Sequence, residues 1–292
     1  MSTAKVELGR RLFYDTRLSV NGTYACGTCH VQAHAFTDTR ARALGATGAE
    51  HPRSAMALTN VAFNLTFGWM DPSLTSLEAQ AAVPMMNEHP IELGLKGHVP
   101  EVLARFATAD DRADFAQAFP QSADAVSLEH IIKALATFER TLISGDSPFD
   151  RYLYRDDRAA LDEPARRGMA LFFSKQLKCS ECHSGFNLSG PALAEGSDPG
   201  APLFHDTGDG RFRAPTLRNI DVTAPYMHDG RLATLDDVIA HYARGGSPGP
   251  GKKSRRLSGF RITAAESADL VQFLKALTDA GFLSNSHFSP PQ

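Results

Sequence analysis

Apolar residues along much of the chain recur at helical spacing, while the alternation typical of strands is scarce. The clearest case is the stretch 127–143, where apolar residues three and four positions apart define one face of a helix. This face comprises Leu128, Ile131, Ile132, Leu135, Phe138 and Leu142. The segment 145–148, Gly-Asp-Ser-Pro, ends the pattern because glycine and proline terminate helices. The pattern predicts a mainly α-helical fold with few short strands.

Start and stop signals predict further helices. A short helix is expected at about 5–14. The sequence Asp-Glu-Pro at 162–164 places a proline in the first turn of another helix, which is its favoured position. Thr234 can cap a helix, and Thr263 begins a capping box with the glutamate three residues later. The helix that follows Thr263 is expected to end at Gly281.

Helix signals are weak in several stretches. The stretch 52–97 contains four prolines and is expected to be irregular but ordered, since it is also rich in large apolar residues. The stretches 189–210 and 245–251 are rich in glycine and are expected to be loops. The basic run 252–256 is expected to be solvated, or otherwise to dock an acidic partner.

The bulk composition fits an ordinary globular protein. A chain of 292 residues can hold two domains, and the helix-ending segment at 145–148 divides it into domains 1–147 and 148–292. Hydrophobic residues make up 42% and charged residues 22% of the chain. A net charge of −3 gives no reason to expect nucleic-acid binding, and the sequence lacks the apolar run of ~18 residues that predicts a membrane span.

The cysteines carry the clearest chemical signal, because all four lie in two C-x-x-C-H sequences. These are Cys26, Cys29 and His30, and Cys179, Cys182 and His183. The pattern predicts c-type haem attachment, since the two thiols add to haem vinyl groups and the histidine reaches the iron. Zinc knuckles or redox dithiols are disfavoured, because a histidine follows both pairs and no cysteine is left over. The sequence therefore predicts two covalently attached haem c groups, one in each domain.

Covalent haem attachment takes place on the export side of the bacterial membrane, so a periplasmic protein is expected. The start of the chain, MSTAKVELGRRLF, lacks the apolar region of a signal peptide. We therefore expect that the signal peptide is absent from this sequence.

With these motifs, the sequence resembles the bacterial dihaem cytochrome c peroxidase and MauG superfamily over nearly its whole length. The resemblance rests on LGRRLFYDTRLS before the first haem motif, HAFTD after it, and RAPTLRNIDVTAPYMHDG after the second. HPRSAMALTNVAFN and SLEAQAAVPMMNEHPIELG are most similar to the MbnH-like branch. The resemblance implies two cytochrome c-like haem domains. In that branch, the enzyme oxidises a tryptophan to kynurenine in a copper-binding partner.

In the superfamily the first haem reacts with hydrogen peroxide, assisted by a glutamate and a nearby glutamine. The resemblance assigns these roles to Glu92 and Gln80, with Glu88 as the local alternative to Glu92. Other members close this haem with a histidine until activation, but the aligned position here is near Ala46. The resemblance thus implies an open first haem, as in MauG, with His51 as an alternative gating ligand.

The family position for the sixth ligand of the second haem falls on Tyr242. Tyr242 shares a predicted helical face with Leu235 and Ile239, whereas His241 points about 100° away. Met227 is a third alternative. An anionic tyrosine oxygen would lower the haem potential relative to methionine, which suits a haem that shares an oxidising equivalent with its neighbour.

The resemblance implies three further features. Trp69, the only tryptophan, corresponds to an indole that relays charge between the haems. A calcium ion is expected between the haems, bound by the carbonyls of Thr223 and Pro225 and at Ser54, where the family has asparagine. Arg53 and Arg218 are expected to pair with haem propionates. The alternative is that both lie at the surface.

These roles predict a dihaem oxidoreductase that uses hydrogen peroxide to form a high-valent state shared by the two haems. That state would oxidise a periplasmic partner protein by long-range electron transfer, with a tryptophan in a copper-binding protein as the expected substrate. Two alternatives stay open. One is a cytochrome c peroxidase that detoxifies peroxide with a small redox-protein donor. The other is a non-catalytic dihaem electron-transfer protein.

Overall fold

The computed structural model describes residues 1–190, 204–249, 251 and 253–291. Within them, the helices are α1 (Thr3–Phe13), α2 (Cys26–Cys29), α3 (Leu77–Met86), α4 (Val99–Ala104), α5 (Ala109–Ala118), α6 (Leu128–Glu139), α7 (Pro148–Tyr154), α8 (Glu163–Phe172), α9 (Leu235–Ala243), α10 (Ala264–Lys275) and α11 (Ala280–Ser284). The strands β1 (Phe204–Asp206) and β2 (Arg211–Arg213) pair antiparallel. The prediction of a mainly α-helical fold with few short strands is confirmed. None of these helices has the length and apolar character needed to cross a membrane.

The chain divides into two compact units by its internal contacts. Unit 1 comprises 1–67, 73–143 and 284–292, and unit 2 comprises 68–72 and 144–283. The expected domains, 1–147 and 148–292, differ from these units mainly because 68–72 belongs to unit 2 and 284–292 to unit 1. The C-terminal segment is held in unit 1 by Tyr14, whose hydroxyl donates a hydrogen bond to a carbonyl of that segment at 2.6 Å.

Unit 1 is built on the packing of α1 against α6. The side chain of Ser2 caps α1, which buries Leu12 and Phe13. Gly9 faces α6 so closely that an added Cβ would lie 2.0 Å from the carbonyl oxygen of Ala134. A larger residue would force the two helices apart, so this glycine sets the distance between them.

Unit 2 repeats this arrangement with α8 and α10. Thr263 caps α10, as the sequence predicted, and α8 begins at the predicted Asp-Glu-Pro segment with Asp162 as its cap. An added Cβ on Gly168 would lie 2.0 Å from the carbonyl oxygen of Asp269. The side chain of Phe273 beside this contact is fully buried. A glycine therefore sets the main helix-to-helix distance in both units.

Three expectations about local structure are wrong. The stretch 52–97 is not irregular throughout, because a serine caps α3 within it. The stretch 189–210 is not all loop, because β1 lies within it. The last predicted helix ends at Lys275, and Gly281 lies in α11, a separate helix whose start is capped by an aspartate. Parts of the expected loops and basic run lie outside the described residues, namely 191–203, 250 and 252.

Candidate functional site

The first C-x-x-C-H motif lies in unit 1, on the single turn of α2. Cys26 is the first residue of this turn and Cys29 the last. The Thr28 hydroxyl accepts a hydrogen bond from the backbone N–H of Ala25, the residue before the turn. An added Cβ on Gly27 would lie 2.4 Å from the ring of Tyr14. Because Tyr14 directly follows α1, the glycine between the cysteines lets the motif pack against the end of that helix.

Backbone carbonyls orient both motif histidines. Nδ1 of His30 lies 2.7 Å from the Phe36 oxygen, and Nδ1 of His183 lies 3.1 Å from the Leu188 oxygen. Both acceptor residues have a positive φ, 60° at Phe36 and 46° at Leu188, which turns the chain back on the ring. An Nδ1–H donor places the lone pair on Nε2, the nitrogen that an axial histidine offers to iron.

A cavity in unit 1 brings together the residues predicted for the first haem. Its lining includes Cys26, Cys29 and His30 together with Gln80 and Glu92. Apolar residues of the wall include Leu58, Met85, Leu93 and Leu135. Two thiols and an oriented histidine beside an apolar wall fit a covalently bound haem c.

Of the two candidate glutamates, Glu92 faces this cavity and Glu88 is exposed. Burial raises the pKa of the Glu92 carboxyl to about 7. Glu88 pairs with Lys96 at 2.6 Å, and the hydrogen bond from Lys96 lowers its pKa. His51 also lines the cavity, and its Nε2 lies 3.6 Å from Glu92 Oε1. The geometry favours Glu92 over Glu88 as the acid–base residue.

A second cavity, in unit 2, is lined by the other haem motif and by all three candidate sixth ligands. These residues are Cys179, Cys182, His183, Met227, His241 and Tyr242. Leu235 and Ile239 are buried on the helix that carries Tyr242. Burial raises the pKa of the Tyr242 phenol to about 12. The thiols and the oriented histidine fit a second haem c. All three candidates line this cavity, so their position alone does not select the ligand, and Tyr242 stays a prediction.

Trp69 lines the second cavity and belongs to unit 2, although the ranges that flank its short segment, 1–67 and 73–143, belong to unit 1. Its ring meets His228 edge-on, with 6.5 Å between centroids, and His228 stacks on Phe212 at 4.0 Å. The Trp69 carbonyl accepts the N–H of Arg213 at 2.9 Å. Three rings therefore lie in series along this cavity. The relay between haems stays a prediction.

Two buried ionisable residues that line the cavities were not among the predicted site residues. Glu139 in the first cavity is 5% exposed, and its Oε2 has no hydrogen-bond partner in the described chain. Burial raises its pKa to about 8. Its place four residues after Leu135, on the apolar face of α6, is the signal that could have found it. Arg213 lines the second cavity, and burial lowers its pKa to about 10.

Arg218 does not have the role expected for it. Its guanidinium is 1% exposed and donates to both carboxylate oxygens of Asp150, at 2.7 and 2.8 Å. It also donates to the Phe186 carbonyl at 2.7 Å, and it lines neither cavity. The prediction that Arg218 pairs with a haem propionate is wrong, because Asp150 already neutralises its charge. The same role for Arg53 stays a prediction.

The expected calcium ligands are divided between the units, with Ser54 in unit 1 and Thr223 and Pro225 in unit 2. The Thr223 hydroxyl donates to the Ile220 carbonyl at 3.1 Å, so the backbone carbonyl of Thr223 is the group expected to bind calcium. No group of three or more His, Cys, Asp or Glu side chains in the described ranges could hold a metal ion. The expected ligands are neutral oxygens, and the calcium ion stays a prediction.

Comparison with known proteins gives one family and several relatives. The family model described as di-haem cytochrome c peroxidase matches residues 3–158. The chain is 35% identical to the methylamine utilization protein MauG of Methylorubrum extorquens, over 95% of this chain and 79% of that protein. It is 32% identical to the cytochrome c551 peroxidase of Pseudomonas aeruginosa, over 82% of this chain and 72% of that protein.

Two solved structures extend the comparison. One is a MauG-like protein associated with microbial copper homeostasis, with 39% identity and a TM-score of 0.93, covering 100% of this chain and 94% of that one. The other is the dihaem peroxidase BthA of Burkholderia thailandensis, with 20% identity and a TM-score of 0.75, covering 100% of this chain and 90% of that one. The second match is a likeness of fold alone.

Proposed function

The chain belongs to the di-haem cytochrome c peroxidase family, whose relatives include MauG, and from this premise we propose that it uses hydrogen peroxide to oxidise a partner protein. It is a peroxidase-type oxidoreductase with two haem c groups. The observation that carries the proposal is the difference between the cavities. Glu92 and Gln80 line the first, whereas Tyr242 lines the second. One site is equipped to handle protons, and the other offers a phenolic oxygen to its haem.

When bound, the haems supply the electrons that reduce peroxide and the oxidising power that is passed on. Glu92 moves the protons. Because burial places its pKa at about 7, both of its protonation states are available near neutral pH. The carboxylate accepts a proton from one oxygen of H2O2 and returns it to the other oxygen, which leaves as water. The amide of Gln80 lines the same cavity and can donate a hydrogen bond that orients the peroxide.

The partner is proposed from the second cavity and from the relative linked to copper homeostasis. Reduction of one H2O2 to two waters takes up two electrons and two protons, so the partner loses two electrons for each peroxide. Trp69 and the rings beside it offer a route for single-electron steps along the cavity. We infer a tryptophan of a periplasmic copper-binding protein as the donor, with kynurenine as its final product. This conversion removes four electrons and therefore uses two H2O2; two water molecules supply the oxygen atoms added to the indole, and a third hydrolyses the N-formyl intermediate so that one carbon leaves as formate. We also infer a calcium ion bound at Ser54, Thr223 and Pro225.

A second candidate function is peroxide detoxification with a small cytochrome or cupredoxin as electron donor. The observation in its favour is that Met227 also lines the second cavity, and methionine would give that haem a higher potential. A haem of higher potential accepts electrons from a cytochrome more readily.

The experiment is to mix the diferric protein with H2O2 in a stopped-flow spectrophotometer. The wild-type protein should react quickly, and Glu92→Gln should slow the reaction by ~100- to 1,000-fold because it removes the proton acceptor. Glu88→Gln is the matched control, since Glu88 is exposed and paired with Lys96; it should react like wild type.

Two outcomes would contradict the proposal. A wild-type protein that is inert to peroxide would leave a non-catalytic electron-transfer protein. Peroxide-dependent turnover of a reduced cytochrome, with no tryptophan oxidised in a copper-binding partner by mass spectrometry, would favour detoxification.

A further inference from the structure

Residues 43–51 form a hairpin that ends at His51. The N–H of Gly45 donates to the Ala49 carbonyl, and the N–H of His51 donates to the Ala43 carbonyl, both at 2.8 Å. Leu44 and Glu50 pair across the hairpin as an antiparallel bridge. The backbone position of His51 is therefore fixed by hydrogen bonds from both arms of hairpin 43–51.

Hairpin 43–51 is tied to the segment that carries Glu92. The N–H of Ala46 donates to the Glu92 carbonyl at 2.7 Å, and the Asn21 side chain donates to the Ala46 carbonyl at the same distance. Gly45 packs against the backbone of Ile91 so closely that an added Cβ would lie 1.8 Å from its oxygen. These contacts hold the backbones of His51 and Glu92 in one arrangement.

The side chains of His51 and Glu92 meet at the cavity wall. Nε2 of His51 lies 3.6 Å from Oε1 of Glu92, and Nδ1 lies 3.2 Å from both the N and the O of Arg53. Both residues line the cavity, and the His51 side chain is 25% exposed and the Glu92 side chain 31% exposed. The 3.6 Å separation exceeds a hydrogen bond, and such contacts shorten when the site is filled.

We propose that His51 is a positioning residue that passes protons between solvent and Glu92, and that it is not a ligand of the first haem. The inference rests on the proposed function. Peroxide reduction takes up two protons from outside the cavity, and Glu92 alone can only move a proton that is already present. A gating movement of the loop that carries His51 would break the backbone hydrogen bonds of hairpin 43–51, and a rotation of the His51 ring away from Glu92 would break their contact.

The test uses cyanide binding to the haem-loaded protein, because HCN must lose a proton as it binds as the anion. His51→Gln should slow cyanide association and the peroxide reaction by a similar factor of ~10- to 100-fold, since both need the same proton path. Imidazole in the buffer should restore part of the rate in His51→Gly. His89→Gln is the matched control, because His89 is exposed three residues before Glu92; it should bind cyanide at the wild-type rate.

A double variant tests the path itself. His51→Gln combined with Glu92→Gln should bind cyanide no more slowly than Glu92→Gln alone, because the two residues act in series. A wild-type cyanide rate in His51→Gln would overturn the inference. Conversion of a low-spin first haem to high spin by His51→Gln, with faster peroxide reaction, would also overturn it by identifying His51 as a ligand. If the wild-type protein ignores peroxide but cyanide binding still depends on His51, the proposed function fails and this inference stands.

Discussion

The two units share one backbone plan. In each, a helix carrying a close-packed glycine precedes the haem motif, and the motif histidine bonds a carbonyl of the following loop. The plan extends to Asn60 and Asn219, both left-handed at φ 57° and 61°. Their N–H groups donate to the carbonyls of Leu142 and Leu277, at 2.9 and 3.0 Å. The haem-binding framework is thus repeated, and any difference in chemistry must come from the side chains around it.

The difference lies in the carboxyl groups of the cavities. Burial raises the pKa of Glu92 to about 7 and that of Glu139 to about 8 in the first cavity. Burial also acts to raise the pKa of Asp209, which lines the second cavity. Hydrogen bonds from Thr207 and Arg231 outweigh that effect and lower its pKa to about 2. One scaffold therefore provides both a cavity that exchanges protons near neutral pH and a cavity whose acid stays ionised.

Unit 2 also contains a buried acid that lines neither cavity. Asp150 in unit 2 is 1% exposed. Burial raises its pKa, but hydrogen bonds from Arg218 and Ser147 outweigh this effect, so the net shift is downward. Asp150→Asn should cost about 3–5 kcal/mol of unfolding free energy, because it leaves the Arg218 charge buried without a partner. Denaturant unfolding of the haem-loaded protein measures this loss.

The control for that variant is Asp269→Asn, which breaks the ion pair with the largely exposed Arg167 and should change stability little. Because the folded pKa of Asp150 is depressed, its stabilising contribution should disappear as the pH falls through that value. A loss under about 1 kcal/mol in Asp150→Asn would mean that the Asp150–Arg218 pair does not stabilise unit 2.

Glu139 should show the opposite pH dependence in unit 1. Its folded pKa of about 8 lies above the ordinary value of 4.5, so the folded protein binds more protons between these values and loses stability as the pH rises. Glu139→Gln should remove this loss, raising stability by roughly 4 kcal/mol at pH 8 and very little at pH 4.5. Unfolding midpoints across this pH range test the prediction, and equal effects at both ends would contradict it.

Features that depend on neighbouring residues in the sequence could be predicted. The two haem motifs, the caps at Thr234 and Thr263 and the helical character of the fold all follow from patterns a few residues long. The structure also brings Glu92 and Gln80 to one cavity, which the resemblance implied. These local signals identify the chemistry, because haem attachment and capping use residues close together in the chain.

Features that depend on which elements pack together were missed or misread. Arg218 looked available for a propionate because the sequence does not show that Asp150 faces it from α7. Glu139 lies on the apolar face of α6, which indicated its burial, but its place in the wall of the first cavity depends on the packing of unit 1. An open first haem with His51 as an alternative gating ligand stays a prediction; what was missed is the contact of His51 with Glu92, which depends on hairpin 43–51 lying against Ile91. Such pairings between distant residues leave no short pattern in the sequence.

The glycines of the helix pairs give the smallest expected effect and test whether the shared plan is equally strict in both units. Gly9→Ala and Gly168→Ala each place a Cβ 2.0 Å from a carbonyl oxygen of the facing helix, so the helices must separate. Each should destabilise the protein by about 1–3 kcal/mol despite the better helix propensity of alanine. Gly145→Ala is the control, since the nearest atom to its added Cβ is 3.7 Å away on Phe186. Similar losses at the two glycines would mean that close helix spacing stabilises both units to a similar extent. A loss at only one glycine would show that the two helix pairs share a geometry but differ in how much close spacing contributes to the free energy of unfolding.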